Sequence, residues 1–413
     1  MTHAVHFPRP WRALSALLAA MALVVGCGGG SDSGVGTGGT GSPQSFSQGP
    51  ISGFGSIIVN GVHFDDSAAS VVDDDGNTPS HSQDLRLGTI VDVEGGAVSN
   101  NAATATTIRV HVDLVGPVTS AWDAASGRLV VLGQPVRVVS TTALDGLPGG
   151  VAAIGAGSTV KVSSLYDRAT GVYVATRIDP APGAAHFAIR GAPSAIDTTA
   201  HTFTIGGAVF SYGSVAPPAP FTAGQLLRAV LAKAPDGQGR WVVTSFGQAQ
   251  AALPDGRQGG VDGVVSSVAD AMHFVVDGIT VDATNAQVTP AGATVGVQSR
   301  VVVKGTVAGG VLVATSVHVR ASHDNDDDQG GSGGSNSGGD NGNDRVEIDG
   351  PILALDAAHQ TFTMRGPTTV SYATASFAGG GKTSDLAVGL VIDMSGNLSA
   401  DGTYVIANKI KFH

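Results

Sequence analysis

The stretch Gly263–Val281 reads GVVSSVADAMHFVVDGITV. It is an opening strand, a hairpin strand, an Asp277-Gly278 turn and a return strand. Asp-Gly between alternating apolar runs marks a tight hairpin, because both central residues need positive φ. Looser copies begin near Gly49, Gly116, Gly191 and Gly350. The chain is therefore read as one small β-module used five times.

Working outward, residues 49–113 form module 1, with Ile57-Ile58-Val59-Asn60-Gly61-Val62-His63-Phe64 as its clearest hairpin. Module 2 covers 114–179 and turns near Gly133-Gln134. Module 3 covers 187–250, module 4 covers 259–320 and module 5 covers 346–413. A second glycine precedes an alternating strand in each, as in Ile90-Val91-Asp92-Val93-Glu94-Gly95 and Arg300-Val301-Val302-Val303-Lys304-Gly305. About five strands per module cannot leave two bare edges cheaply. Closure into a barrel removes them. The expected fold is all-β: tandem small five-stranded OB-like or SH3-like β-barrels, joined by short and disordered linkers. Phe64, Phe203, Phe210, Phe274 and Phe362 are expected in the barrel cores. Residues 28–48 read as a flexible Gly/Ser/Thr tether, and 321–345 as a disordered Gly/Ser/Asp linker with nothing to bury.

Composition favours the same class. Of 413 residues 60 are Gly, only 13% are charged and 5% are aromatic, which suits short strands and turns. The first 27 residues read as a processing signal. Arg9 and Arg12 precede an apolar run, Ala13–Val25, too short for a comfortable membrane span. The run ends in Val24-Val25-Gly26-Cys27, which resembles a bacterial lipobox. Cys27, the single Cys of the chain, is the expected lipidation site, its thiolate taking up the lipid as a thioether. Gly28 stands where, by resemblance, an Asp would favour inner-membrane retention, so an outer-membrane lipoprotein of the cell envelope is expected. Loss of residues 1–26 removes two Arg and leaves 20 basic against 33 acidic residues, a net charge of −13. That balance argues against nucleic acid or anionic lipid as the main ligand.

The lipobox, the tether and the run Gly-Pro-Ile (49–51), Phe-Gly-Ser-Ile-Ile-Val-Asn-Gly-Val-His-Phe (54–64) and Asp-Leu-Arg-Leu-Gly-Thr-Ile-Val-Asp-Val-Glu-Gly (84–95) resemble a family of bacterial envelope proteins. That family is a domain of unknown function, number 5666. The likeness is strongest over Gly49–Val112, fair over Gly259–Val319 and weak in modules 2, 3 and 5. It implies an OB-like module and an exported lipoprotein, and it hands over no functional residue.

Chemistry-bearing motifs are sparse. Asp73-Asp74-Asp75-Gly76-Asn77 and Asp324-Asn325-Asp326-Asp327-Asp328 carry hard oxygen ligands but fit no EF-hand, and read as a polar loop and a solvated charge run. There is no HExxH and no Gly-x-Ser-x-Gly elbow. No catalytic, cofactor or metal residue is assigned, and tandem modules are not expected to supply one deep cleft. Trp122, Tyr166, Tyr173, Tyr212, Trp241, Tyr372 and Tyr404 are the rings able to stack on a sugar. The functional expectation is a non-catalytic envelope binding or spacer protein. It would be held at the membrane by its lipid, with a glycan or protein ligand and no cofactor. The alternative is an exported hydrolase acting on a polysaccharide or other envelope polymer. Variation between copies concentrates in Ser67–Asp84, Thr141–Ala156 and Gly213–Ala223, where a function of the loops would lie.

Overall fold

Each module closes in the same way. The hairpin's return strand runs parallel to the module's last strand. These pairs are Val62–Asp65 with Ala102–His111, Gln134–Arg137 with Val172–Pro180, Ala208–Ser211 with Trp241–Gly247, Ile279–Asp282 with Val311–Val319, and Thr368–Ser371 with Val405–Phe412. The opening strand pairs antiparallel with the second long strand, as in Ser45–Phe54 with Ile90–Gly95 and Gln258–Asp270 with Arg300–Ala308. The result is a tandem array of small five-stranded OB-like barrels, and the fold is all-β. The structure is a computed structural model that describes residues 45–74, 82–249, 253, 255–320 and 345–413. The signal segment with Cys27, residues 28–44 of the tether, Asp75–Asn77 and residues 321–344 lie outside the described residues.

The turns explain the hairpins. Asn60-Gly61 has φ of 55° and 70°, and Asp277-Gly278 has 44° and 82°. Leu132-Gly133 adopts the same shape at 53° and 78° without the usual Asn or Asp. The opening glycine follows from the turn packed on it: a Cβ at Gly263 would stand 2.7 Å from Val276 Cγ1 and 3.4 Å from Asp277 Cβ. A second recurrent device is a β-bulge where the last two strands pair, at Glu94/Gly95, Ser163/Ser164, Val230/Leu231, Lys304/Gly305 and Ser395/Gly396. It bends the strand pair so that the barrel can close. At Gly305 a Cβ would sit 2.0 Å from the carbonyl oxygen of Val313, so only glycine fits.

The cores do not stop at module boundaries. One apolar cluster runs through modules 1 and 5, from Ile51 and Phe64 to Phe362 and Ile410. A second runs through modules 2 and 3, from Leu114 to Val243. Module 4 has its own core, capped by Phe46. All five phenylalanines expected in barrel cores are buried. The tether expected through Gln48 ends sooner. Ser45–Gln48 already belong to the first strand, paired parallel with Gln258–Val261, and Phe46 fills the module 4 core. The same strand pairs parallel with Glu347–Ile348 of module 5, while Leu114–Val115 joins Ala188–Ile189 of module 3. Opening strands thus serve twice, once in their own barrel and once as a joint, which covers edges that would otherwise be bare.

Candidate functional site

Four modules meet at a buried ionic hub. His111, the last residue of the strand Ala102–His111, is 1% exposed and lies between two carboxylates. Its Nδ1 hydrogen-bonds Asp74, and its Nε2 stands 2.8 Å from Asp92 Oδ2. Burial alone would lower the imidazole's pKa, but the charges of Asp92 and Asp74 outweigh it and raise it from 6.5 to about 9. Asp74 also accepts from Val112 N and lies 3.7 Å from Arg228 Nε of module 3. Asp113 accepts from both N and Oγ of Ser164, at 2.8 and 2.7 Å, and lies 3.6 Å from Arg190 Nη1. Burial pushes Asp113 up to about 6, against the pull of Arg190. Arg190 reaches Asp277 at 4.0 Å, and Asp277 accepts from Gln48 Nε2 at 3.0 Å. The turn residue of module 4 therefore also anchors modules 1 and 3. The hub encloses a space of about 10 Å³ beside Asp113, Arg190, Asp262 and Asp277, room for about one water molecule.

A larger cleft of about 500 Å³ lies between modules 2 and 4. Its floor is Leu165, Val174 and Val264, which form a small apolar cluster with Ile90. Arg128 and Arg137 stand on one wall as directly opposed residues of the module 2 hairpin. Arg300 and Arg320 stand on the module 4 side. Both bind Asp262, Arg300 at 3.2 and 3.1 Å and Arg320 at 2.8 Å. Asp262 is 2% exposed; burial opposes its charge, and the two guanidinium groups hold its pKa below the ordinary value. Asp167 also lines the cleft, and Gln298 Nε2 crosses from module 4 to its Oδ2 at 3.1 Å. The volume falls within the range of small-molecule sites. The expectation that tandem modules supply no such cleft fails because packing between modules, rather than any single barrel, creates it.

The variable loops take part unequally. Ser67–Asp84 supplies Asp74 to the hub, and Thr141–Ala156 supplies Thr141 to the cleft. Gly213–Ala223 lines a second groove of about 410 Å³ with Pro218, Pro220 and Phe221, beside Arg168 and Gly278. Of the rings able to stack on sugars, Tyr166, Tyr173, Tyr212 and Tyr372 are buried, and Trp122, Trp241 and Tyr404 are half-buried. On module 5, Asp349, Asp393 and His413 offer ligand atoms within 4.8 Å of one another. Lys411 Nζ, 3.5 Å from Asp393 Oδ2, competes for the same carboxylate. Sequence reading missed the hub and the cleft because their residues come from different modules. The one local sign was a set of charged residues inside otherwise apolar strands, such as Asp92, Arg190, Arg228 and Asp262.

No match is found among curated proteins. A protein-family profile described as "Domain of unknown function (DUF5666)" matches residues 48–109, 115–179, 262–318 and 349–411, covering modules 1, 2, 4 and 5 and more than half of the chain. Module 3 lies outside the match yet carries the same strand pairing. The chain belongs to the DUF5666 family.

Proposed function

We propose that the protein is a non-catalytic, lipid-anchored binding protein of the outer membrane, and that it takes an envelope ligand in the cleft between modules 2 and 4. The observation that carries this reading is the cleft itself: about 500 Å³, with an apolar floor and polar walls supplied by two modules. Continuous cores across modules 1 and 5 and across modules 2 and 3 favour binding over a spacer role, since fused barrels give up reach. The hydrolase alternative draws little support from the hub. Both nitrogens of His111 face carboxylates, and the adjacent space holds no substrate. The reading assigns attachment to Cys27, which closes the lipobox-like run Val24-Val25-Gly26-Cys27.

Two measurements test the reading. Cys27→Ser is expected to release the protein from the membrane fraction; retention would refute the lipid anchor. Thr294→Trp places an indole at the exposed edge of the cleft. In a screen of envelope glycans and peptides, a ligand of the full chain is expected to lose affinity for this variant. A ligand bound equally by both proteins would remove the cleft from the proposal.

A further inference from the structure

We propose that the groove beside the Gly213–Ala223 loop binds a small amphipathic carboxylate: a single carboxylate group on an apolar body. The inference stands apart from the cleft between modules 2 and 4 and concerns a second site. The groove, about 410 Å³, is walled by residues of modules 2, 3 and 4. Among the described residues Arg168 is the one charge on its walls, and no acid lines it.

Arg168 follows the strand Thr159–Asp167 and is half-buried. Its Nε and Nη2 are shut off from water, and among the described residues neither has a hydrogen-bond partner. A guanidinium held in that state is costly. Arg177, in the same hairpin, shows the usual solution. It donates to Asp145 and Asp179, and against the cost of burial those acids carry its pKa above the ordinary value. Arg168 goes the other way: burial lowers its pKa, the pull of the Asp277 carboxylate falls short of restoring it, and Arg190 repels it. The side chain is short of an anion, and it stands on the wall of a groove that can admit one.

The other walls say what that anion is attached to. Phe221 lines the groove with a ring whose packing is fixed by edge contacts with Phe203, Tyr212 and Phe246. Pro218, Pro220 and Leu226 extend the apolar surface. Proline has a fixed φ, so such a wall loses little freedom when it takes a ligand. A guanidinium fork matches one carboxylate in geometry as well as charge. A carboxylate at Arg168 supplies the missing acceptor, while an aryl or alkyl body covers Phe221 and the prolines and removes apolar surface from water. A bare inorganic anion would leave that surface wet. The volume suits a small molecule.

The test is calorimetric titration of the full mature chain carrying Cys27→Ser. The probes are hydrocinnamate, octanoate, the neutral hydrocinnamamide and inorganic phosphate. At least one of the two acids is expected to bind one-to-one, and the tighter of them tells an aryl from an alkyl body. The amide and phosphate are expected to bind at least about tenfold more weakly. Affinity for the acid is expected to fall at least about tenfold in Arg168→Met, and likewise in Thr222→Trp, which sets an indole on an exposed wall of the groove. Without ligand Arg168→Met is expected to melt at or above the wild-type temperature, since it removes a buried cation and keeps an apolar stem. A melting temperature lowered by several degrees would make Arg168 structural and overturn the inference. Acid binding that ignores Arg168→Met, or no acid bound at millimolar concentration, overturns it too. Amide or phosphate bound as tightly as the acids would refute the amphipathic carboxylate class. Acid binding kept in Thr222→Trp and lost in Thr294→Trp would put the ligand in the cleft between modules 2 and 4, removing this site while leaving the proposed function intact.

Discussion

Raising pH from 6.5 to above 9 is expected to remove about 3 kcal/mol of stability through one residue, His111. In the fold its pKa stands at about 9, against 6.5 for an ordinary histidine. Each tenfold step in proton affinity is worth about 1.4 kcal/mol, so the gap corresponds to about 3 kcal/mol of preference for the charged form. The folded pKa is raised, so the stabilisation is complete below pH 6.5 and is lost as pH climbs through 9. Physically, a neutral imidazole leaves Asp74 and Asp92 buried beside each other with one less cation, while Arg228 and Arg190 remain nearby. Asp113, whose pKa stands at about 6, still titrates at the lower edge of this window, so the slope that reports His111 is the one above about pH 7. Chemical denaturation at a series of pH values measures the slope directly, and His111→Gln is the control. Wild type should lose stability over this window, and the variant should begin less stable and stay level. A wild-type curve flat from pH 6.5 to 9.5, or a slope of equal size in His111→Gln, would refute the account of the hub.

Three other outcomes follow from the packing. Arg190→Met removes the cation that stands 3.6 Å from Asp113 and 4.0 Å from Asp277 and should cost about 3–5 kcal/mol, seen as a lower denaturation midpoint. Adding Asp113→Asn should restore a large part of that loss, because the buried charge itself is then gone, whereas additive losses would show that the two groups act independently. Gly305→Ala should destabilise by about 1–3 kcal/mol, since its methyl group would meet the carbonyl of Val313 at 2.0 Å; an unchanged melting temperature would mean the bulge relaxes freely.

Barrel topology was legible because it is written locally. Asn60-Gly61 and Asp277-Gly278 carry their turn in two residues, and the alternating strands beside them choose which face is buried. Leu132-Gly133 was less legible, because a leucine at φ 53° is paid for by burial against Gly116 rather than by turn chemistry. The assembly of modules was not legible. Phe46 sits in a stretch that reads as tether, and only the distant module 4 core gives it a place. The arginines of the cleft look like ordinary strand-end charges until modules 2 and 4 meet. Contacts between segments far apart in sequence leave no periodic trace in either one.

Module 3 shows how the two levels separate. It escapes the family profile, yet its return strand closes on Trp241–Gly247 as in the other barrels. What it keeps is the alternation and the turn at Gly206, with φ of 53°. What it adds is Arg190 and Arg228, both in barrel strands and both reaching acids of other modules. Asp277 shows the same separation from the other side. As a turn residue it is interchangeable with Asn60, which spends its side-chain amide on Ser47 and Gln48 within its own module. As a carboxylate it accepts from Gln48 of module 1 and faces Arg190 of module 3, a role asparagine would fill without charge. The repeat therefore dictates the barrel, and single departures from the repeat, each a buried charge, dictate which barrels meet. Buried charges tolerate few alternative partners, so they select one arrangement among the many that apolar barrel faces would permit.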